Sequence, residues 1–188
     1  PAHICTSIND QIVHGIPGTA ILKEGDILSV DIGVEMDGYY VDTAMTFAIG
    51  KISKEAKKLI RVCRETLDLA VSMLTPGNKL SRLCAAIQEN VEENGFAVIR
   101  KYVGHGIGHK VHEDPPVPNF AFDVRREGDV VFKRGMVLAV EPMISAGTDK
   151  VKVLGDGWTA VTSDGSMSAH FEHTVAVREK SGLVLTRE

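Results

Sequence analysis

Two nine-residue segments of this chain resemble each other, and each ends in a β-forming stretch followed by an acidic residue. Residues 23–31 align without a gap with residues 133–141, so that Asp31 stands against Glu141. A weaker match sets residues 40–43 beside residues 170–173 and places Asp42 against Glu172. Two similar halves related by a pseudo-two-fold axis would bring these four carboxylates together across a shared cleft.

The first pair of acids lies in a predicted β-hairpin. Residues 26–34 form a short run rich in β-forming residues, residues 36–38 are typical of a tight turn, and residues 39–49 form the return strand. Asp31 and Asp42 lie inside these strands, where β-propensity disfavours aspartate. The hairpin therefore carries two carboxylates at positions that β-propensity alone does not explain.

Two helices are predicted after the hairpin. Ser53 precedes a set of apolar residues with helical period, which predicts a capped helix running to about Leu74 and stopped by residues 75–77. A second helix is predicted from about Leu80 to Asn94. Residues 1–20 are typical of irregular structure or short strands.

The C-terminal half is predicted to be mainly strands. Residues 115–118 carry three prolines, which we expect to break any regular element. Two apolar runs between residues 130 and 145 are typical of strands, the second being residues 136–142, and residues 169–177 are predicted to form one strand that contains Glu172.

Residues 104–115 hold three histidines, His105, His109 and His112, spaced by glycines rather than by apolar residues at helical intervals. Glycine allows a close backbone approach or a positive φ where a Cβ would clash. A flexible loop with solvated histidines and a set of buried core histidines are both open alternatives to a functional site. The acids elsewhere in the chain favour the site.

Four carboxylates packed together would repel one another and could not all ionise. Asp31 and Glu141 fit a solvated strand face poorly, because their strands are apolar on both faces. Two divalent cations would balance four negative charges, and carboxylates with one imidazole suit Mn²⁺, Fe²⁺, Co²⁺ or Zn²⁺. The spacing of the cysteines excludes a thiolate-rich zinc site.

The composition narrows the class of protein. A length of 188 residues allows one domain or two half-size lobes with a shared core, and a net charge of −4 gives no reason to expect nucleic-acid or anionic-membrane binding. No apolar run approaches the length of a membrane span. Three cysteines without a CxxC pair fit a reducing compartment, so we expect the cytoplasm.

The five candidate ligands, Asp31, Asp42, His105, Glu141 and Glu172, together resemble the dinuclear site of the methionine aminopeptidase and prolidase superfamily. Short sequence motifs around these ligands resemble those of the type I methionine aminopeptidases in particular. They include residues 14–17, 104–108, 141–143 and 172–174. The similarity covers essentially all 188 residues. It implies an α+β pita-bread fold with two pseudo-symmetric α/β lobes, a curved and mainly antiparallel sheet, and outer helices.

The resemblance also implies roles for these residues. Asp31 would chelate one metal ion, His105 and Glu141 the other, and Asp42 and Glu172 would bridge them. Two cations that share a water lower its pKa and hold hydroxide ready to attack the first peptide bond. Glu141 would carry the proton to the leaving amine.

Two further histidines are expected to act on the substrate without binding metal. The resemblance places His112 as a donor to the developing oxyanion and His14 as a contact near the scissile bond. It places Cys5 and the single tryptophan, Trp158, around the substrate methionine, while core roles for both residues remain open. Val111 stands where many relatives carry an aromatic residue, which predicts a wider pocket wall.

The resemblance implies an enzyme that removes the initiator methionine from nascent proteins and peptides. The alternatives are a proline-directed (Xaa-Pro) aminopeptidase of the same fold and a catalytically silent binding relative. We expect a monomeric catalytic domain over residues 1–188 with repeats at about 20–95 and 96–180, no nucleic-acid partner and no membrane; ribosome contact is left open. Because the sequence opens on Pro1 rather than Met, we also expect a missing upstream segment, and the resemblance implies that this segment completes the methionine pocket.

Overall fold

A computed structural model describes residues 1–187 and folds them into strands and helices that alternate in blocks along the chain. The first seven strands along the chain are β1 Cys5–Ile8, β2 Gln11–Val13, β3 Ile27–Met36, β4 Tyr39–Ala48, β5 Ala97–Val98, β6 Gly104–Gly106 and β7 Glu113–Val117. The next seven are β8 Val137–Val140, β9 Met143–Ser145, β10 Val151–Val153, β11 Ala160–Thr162, β12 Ser168–His170, β13 Glu172–Val177 and β14 Gly182–Val184. The helices are α1 Lys54–Met73, α2 Leu80–Glu93 and the short α3 Val124–Glu127.

The largest sheet has the order β1-β3-β4-β13-β8-β6-β7, with β14 paired to β13 beside this path. Two smaller sheets have the orders β10-β11-β2 and β12-β9-β5. Every strand pair within them is antiparallel. The prediction of a curved, mainly antiparallel sheet is therefore confirmed.

The repeated segments occupy equivalent places in the large sheet. The first copy enters β3 and the second enters β8, while their partner strands β4 and β13 lie side by side between them. The order β3-β4-β13-β8 is thus symmetric about the boundary between β4 and β13. This arrangement brings Asp31 and Asp42 from one half toward Glu141 and Glu172 from the other.

The two long helices form as the sequence predicts. The Ser53 hydroxyl accepts a hydrogen bond from the Ala56 N–H at 3.0 Å and caps α1. The buried residues of α1 and α2 recur at helical spacing and pack into one core with Ile27, Leu138 and Val175 of the large sheet. This core packs α1 and α2 against the large sheet that carries the acids.

The expectation that residues 115–118 break any regular element is wrong. Pro115 and Pro116 lie inside β7, which pairs with β6 and forms the edge of the large sheet. Proline is tolerated on an edge strand because its missing N–H can face away from the ladder. A bulge between His105 and Gly106 accommodates the irregular pairing.

Two other strand predictions are also wrong. Residues 169–177 do not form one strand, because the chain leaves the β12 sheet at Phe171 and enters the large sheet as β13. The first apolar run after residue 130 makes a single isolated bridge, between Lys79 and Val131, instead of a strand. The second run is confirmed as β8.

None of the helices in residues 1–187 combines the length and the apolar character that a membrane crossing requires.

Candidate metal centre

The structure brings the predicted ligands together at the boundary between the two halves of the large sheet. Ligand atoms of Asp42, His105 and Glu172 all lie within 4.8 Å of one another. Glu141 Oε1 lies 3.6 Å from His105 Nε2, and Asp31 is near enough to Asp42 for the charge of Asp42 to raise the pKa of Asp31. The convergence expected from the repeat is therefore present in the fold.

Cross-strand hydrogen bonds hold β4 and β13 in register at the acids. The Asp42 N–H donates to Thr174 Oγ1 at 2.8 Å, and the same hydroxyl lies 2.8 Å from the Asp42 carbonyl oxygen. The Thr43 hydroxyl donates to the Glu172 carbonyl oxygen at 3.0 Å. The two strands that carry the central carboxylates are thus tied together at these residues.

The environment of the four carboxyl groups favours their neutral forms. Burial, followed by the charge of Asp42, raises the pKa of Asp31 from 3.8 to about 7. Burial raises the pKa of Asp42 as well, and burial with the neighbouring carboxylates raises the pKa of Glu141 and of Glu172 well above 4.5. Four ionised carboxylates at this place require added positive charge, which divalent cations supply.

His105 is fixed in the tautomer that a metal ligand needs. Its Nδ1 lies 2.9 Å from the carbonyl oxygen of Gly106, and only a protonated Nδ1 can make that hydrogen bond. In the neutral imidazole, Nε2 then carries a lone pair and faces the acids. Four carboxylates and one unprotonated imidazole nitrogen are together suitable ligands for divalent metal ions.

The glycines beside His105 are required for close backbone packing. A Cβ at Gly104 would overlap the carbonyl oxygen of Ala139, and one at Gly106 would overlap the carbonyl oxygen of Asp114. The sequence-based expectation of close approach is confirmed at both positions. β6 can therefore carry His105 between β7 and β8.

We expect Gly106→Ala to destabilise the protein by about 1–3 kcal/mol, because β6 and β7 must move apart to admit the methyl group. The displacement also moves His105, so metal affinity should fall. Thermal unfolding and metal titration measure the two effects. Gly155→Ala is the matched control, since a Cβ there meets open space; equal unfolding temperatures for the two variants would contradict the account.

Asp31 should make the metal-free protein less stable as the pH rises. A carboxyl group whose pKa is raised by folding binds its proton more tightly in the folded state. Its contribution to stability is present at low pH and is lost between about pH 4, near its ordinary pKa of 3.8, and about pH 7. Asp31→Asn removes this contribution.

The measurement is the unfolding temperature of metal-free wild type and Asp31→Asn at several pH values from 4.5 to 8. The difference between them cancels the opposite contributions of the buried histidines, whose pKa values are lowered by burial. We expect the variant to gain stability relative to wild type as the pH rises. If the unfolding temperature of the variant relative to that of wild type stays constant, or falls as the pH rises, Asp31 does not bind its proton more tightly in the folded state.

His112 and His14 flank the carboxylates without joining them. The His112 ring is exposed and lies 4.3 Å from the His105 ring, edge to face. His14 has a positive φ of 60° and packs its ring edge to face on Tyr102 at 5.2 Å. Burial, followed by the neighbouring His112, lowers the pKa of His14.

The three residues predicted to line the methionine pocket differ from one another in position and in exposure. Cys5 lies opposite Asp31 in the β1–β3 pair, and burial together with Asp31 and Asp42 raises its pKa to about 11. Val111 is half-buried in the loop before His112. Trp158 lies in the turn between β10 and β11 with 52% of its surface exposed, so a core role for it is wrong. The role of these residues in a pocket stays a prediction.

The sequence analysis missed His170, which is 1% exposed and lies beside the acids. Its Nε2 is 3.8 Å from Glu141 Oε2, and burial followed by His14 lowers its pKa to about 3. The available signal was its spacing, because a residue two positions before Glu172 can share its face of an extended chain.

Comparison with known proteins gives a consistent family assignment. The model of metallopeptidase family M24 matches residues 1–179. The methionine aminopeptidase of Clostridium perfringens is 49% identical over 186 residues, which cover 99% of this chain and 74% of that protein. Methionine aminopeptidase 1 of Bacillus subtilis is 48% identical over 184 residues, 98% of this chain and 73% of that protein.

Solved structures agree with the sequence matches. The methionine aminopeptidase of Thermotoga maritima is 48% identical with a TM-score of 0.94, over 98% of this chain and 74% of that one. A Xaa-Pro dipeptidase of Bacillus anthracis is 22% identical with a TM-score of 0.77, over 100% of this chain and 47% of that one, a likeness of fold alone. The predicted pita-bread fold is confirmed by these likenesses.

Proposed function

Because the chain belongs to metallopeptidase family M24, we propose that it removes the N-terminal methionine from peptides and nascent proteins with the help of two bound divalent metal ions. The observation that carries this proposal is the cluster of Asp42, His105 and Glu172, whose ligand atoms lie within 4.8 Å of one another. The high identity to methionine aminopeptidases supports the choice of substrate.

The five candidate ligands divide between two ions in this proposal. Asp31 would hold one ion, His105 and Glu141 would hold the other, and Asp42 and Glu172 would supply ligands to both. Four carboxylates balance the charge of two divalent cations, and a single imidazole among them suits Mn²⁺, Fe²⁺, Co²⁺ or Zn²⁺. The raised pKa values of the carboxyl groups support the need for these cations.

Bound divalent ions supply a water of lowered pKa and polarise the scissile carbonyl group. Glu141 would accept a proton from the attacking water and pass it to the leaving amine, so that one carboxylate serves first as the base and then as the acid. His112 donates a hydrogen bond to the carbonyl oxygen as negative charge develops there. His14, beside Tyr102, contacts the substrate near the scissile bond.

The clustered acids also suit recognition of a free amino terminus. A peptide α-amino group is positively charged near neutral pH, and a cleft lined with carboxylates attracts it. Cleavage next to the first residue follows if the amino terminus is held beside the reacting centre. This arrangement makes the chain an exopeptidase and selects N-terminal peptides as its partners.

We place this activity in the cytoplasm of the cell, on a monomeric protein that acts on chains leaving the ribosome. The three unpaired cysteines, Cys5, Cys63 and Cys84, support a reducing compartment. The net charge of −4 supports peptide rather than nucleic-acid substrates.

The test is release of the first residue from Met-Ala-Ser, Ala-Ala-Ser and Ala-Pro-Ser by protein loaded with Mn²⁺ or Co²⁺. We expect methionine to be released more than about tenfold faster than alanine, because an apolar pocket discriminates by that order for small differences in side-chain size. Preferential cleavage of Ala-Pro-Ser would assign the chain to the proline-directed enzymes. Metal binding without cleavage of any peptide would identify a silent binding relative.

A further inference from the structure

His170 is a buried histidine whose ring has no hydrogen-bond partner. It lies at the end of β12 with 1% of its surface exposed, and neither Nδ1 nor Nε2 is paired within the described residues 1–187. A buried polar group that remains unpaired costs about 1–3 kcal/mol, so such a group in a native fold needs an explanation. The main chain of His170 is well held, because its N–H and its carbonyl oxygen both pair with Thr46.

The ring points at a partner that is itself incompletely paired. Its Nε2 lies 3.8 Å from Oε2 of Glu141, while the other carboxylate oxygen, Oε1, lies 3.6 Å from His105 Nε2. Glu141 therefore stands between two imidazoles, one at each oxygen. The main-chain carbonyl of Glu141 is anchored separately by Asn119 Nδ2 at 3.0 Å.

The two imidazoles are not equivalent toward Glu141. His105 uses its Nδ1–H on the Gly106 carbonyl oxygen, so its Nε2 has no hydrogen to offer. No such partner fixes the tautomer of His170, and its single ring proton is free to stand on Nε2. His170 is thus the only one of the two that can donate to this carboxylate.

We propose that His170 is a positioning residue that donates its Nε2–H to Oε2 of Glu141 and so directs Oε1 toward the metal beside His105. Ligating carboxylates in metal sites are themselves held by outer hydrogen bonds, whose loss weakens metal binding by about 10–100-fold. The two atoms are 3.8 Å apart, so a modest shift of either side chain would bring them within hydrogen-bond distance. This inference rests on the proposed metal-binding function.

The experiment measures Mn²⁺ affinity of metal-free protein by calorimetry for wild type, His170→Leu and His170→Gln. Leucine fills the apolar volume but cannot donate, and we expect its Mn²⁺ dissociation constant to rise about 10–100-fold. Glutamine carries an amide N–H₂ near the place of Nε2, so His170→Gln should recover most of the affinity. Thr66→Val, a buried polar change within α1, is the matched control and should leave Mn²⁺ affinity unchanged.

Thermal unfolding of the metal-free proteins separates positioning from a structural role. Because His170 has no side-chain partner in the metal-free protein, His170→Leu should not lower the unfolding temperature, whereas Thr66→Val should. With saturating Mn²⁺, His170→Leu should lower kcat and leave KM for Met-Ala-Ser nearly unchanged, since Glu141 acts on the chemical step. If the leucine variant does not fold, the comparison of His170→Gln with His170→Asn, whose shorter amide cannot reach Glu141, replaces it.

Several results would overturn the proposal. Wild-type Mn²⁺ affinity in His170→Leu would show that Glu141 needs no help from His170. Equal loss of metal in the glutamine and leucine variants would make the imidazole itself a ligand, and a rise in KM alone would make it a substrate contact. Absence of Mn²⁺ binding in the wild type would instead contradict the proposed function, so the two failures are distinguishable.

Discussion

Glu172→Gln will reduce both the amount of bound metal and the rate of Met-Ala-Ser cleavage by more than about 100-fold. Loss of a residue that only hydrogen-bonds to a metal ligand already lowers metal affinity by about 10–100-fold, and loss of a charged ligand should cost more. Glu172 is 2% exposed and its side chain lies among the other three carboxylates. Glutamine keeps the shape of the side chain but removes one negative charge. Three carboxylates would then face the two divalent cations proposed above, and the positive charge of the cations would no longer be balanced.

The same substitution should leave the metal-free protein at least as stable as wild type. Burial and neighbouring carboxylates hold the pKa of Glu172 well above 4.5, so the ionised form is costly in the metal-free fold. An amide has no such cost. Loss of metal without loss of the unfolding temperature would therefore separate a ligand from a structural residue.

Glu93→Gln is the matched control, since it makes the same chemical change on an exposed position of α2. Asp42→Asn should behave like Glu172→Gln, while Asp31→Ala should empty mainly one of the two sites. The measurements are metal content by elemental analysis and the rate of methionine release. Retention of wild-type metal content and turnover in Glu172→Gln would contradict the assignment of Glu172 between the ions.

His112→Ala should lower kcat by about 10²–10³-fold and leave metal affinity nearly unchanged. The His112 ring packs on the His105 ring at 4.3 Å but is not among the clustered ligand atoms. A donor aimed at a developing oxyanion acts in the transition state, so KM should change little. His14→Ala should change kcat and KM together, because its proposed contact with the substrate exists before and during the reaction.

His109→Ala is the control for His112. His109 lies in the same loop, but its ring packs on Tyr39 and its Nδ1 contacts the Gly38 carbonyl oxygen at the tip of the β3–β4 hairpin. Its loss should leave kcat close to the wild-type value. Metal stoichiometry, kcat and KM on a Met-Ala peptide are measured together. Metal loss in His112→Ala, with kcat recovered by excess Co²⁺ or Mn²⁺, would make His112 a ligand.

Local signals in the sequence were sufficient for the elements whose interactions are local. Ser53 and the helical apolar period define α1 because the cap and the buried stripe depend on neighbours in sequence. The β3–β4 hairpin follows from its turn and from the β-forming residues on either side. The repeat also predicts which acids meet, because two similar halves place Asp31 and Glu141 at equivalent positions.

Features that depend on the partner strand could not be predicted in this way. β7 forms despite its prolines only because it is the edge of the sheet, a fact about neighbours that the residues themselves do not carry. The switch between sheets at Phe171 has no local signal, because no proline, glycine or turn residue separates β12 from β13. His170 was missed for the same reason, since its contact with Glu141 joins β12 to the end of β8.

The most direct test of the account is the anomalous diffraction of crystals loaded with Mn²⁺. The account predicts a peak within ligand distance of Asp42, His105 and Glu172, and a second peak beside Asp31 that shares Asp42 and Glu172 with the first. Mn²⁺ located away from these side chains, in crystals of a protein that still releases methionine, would contradict it.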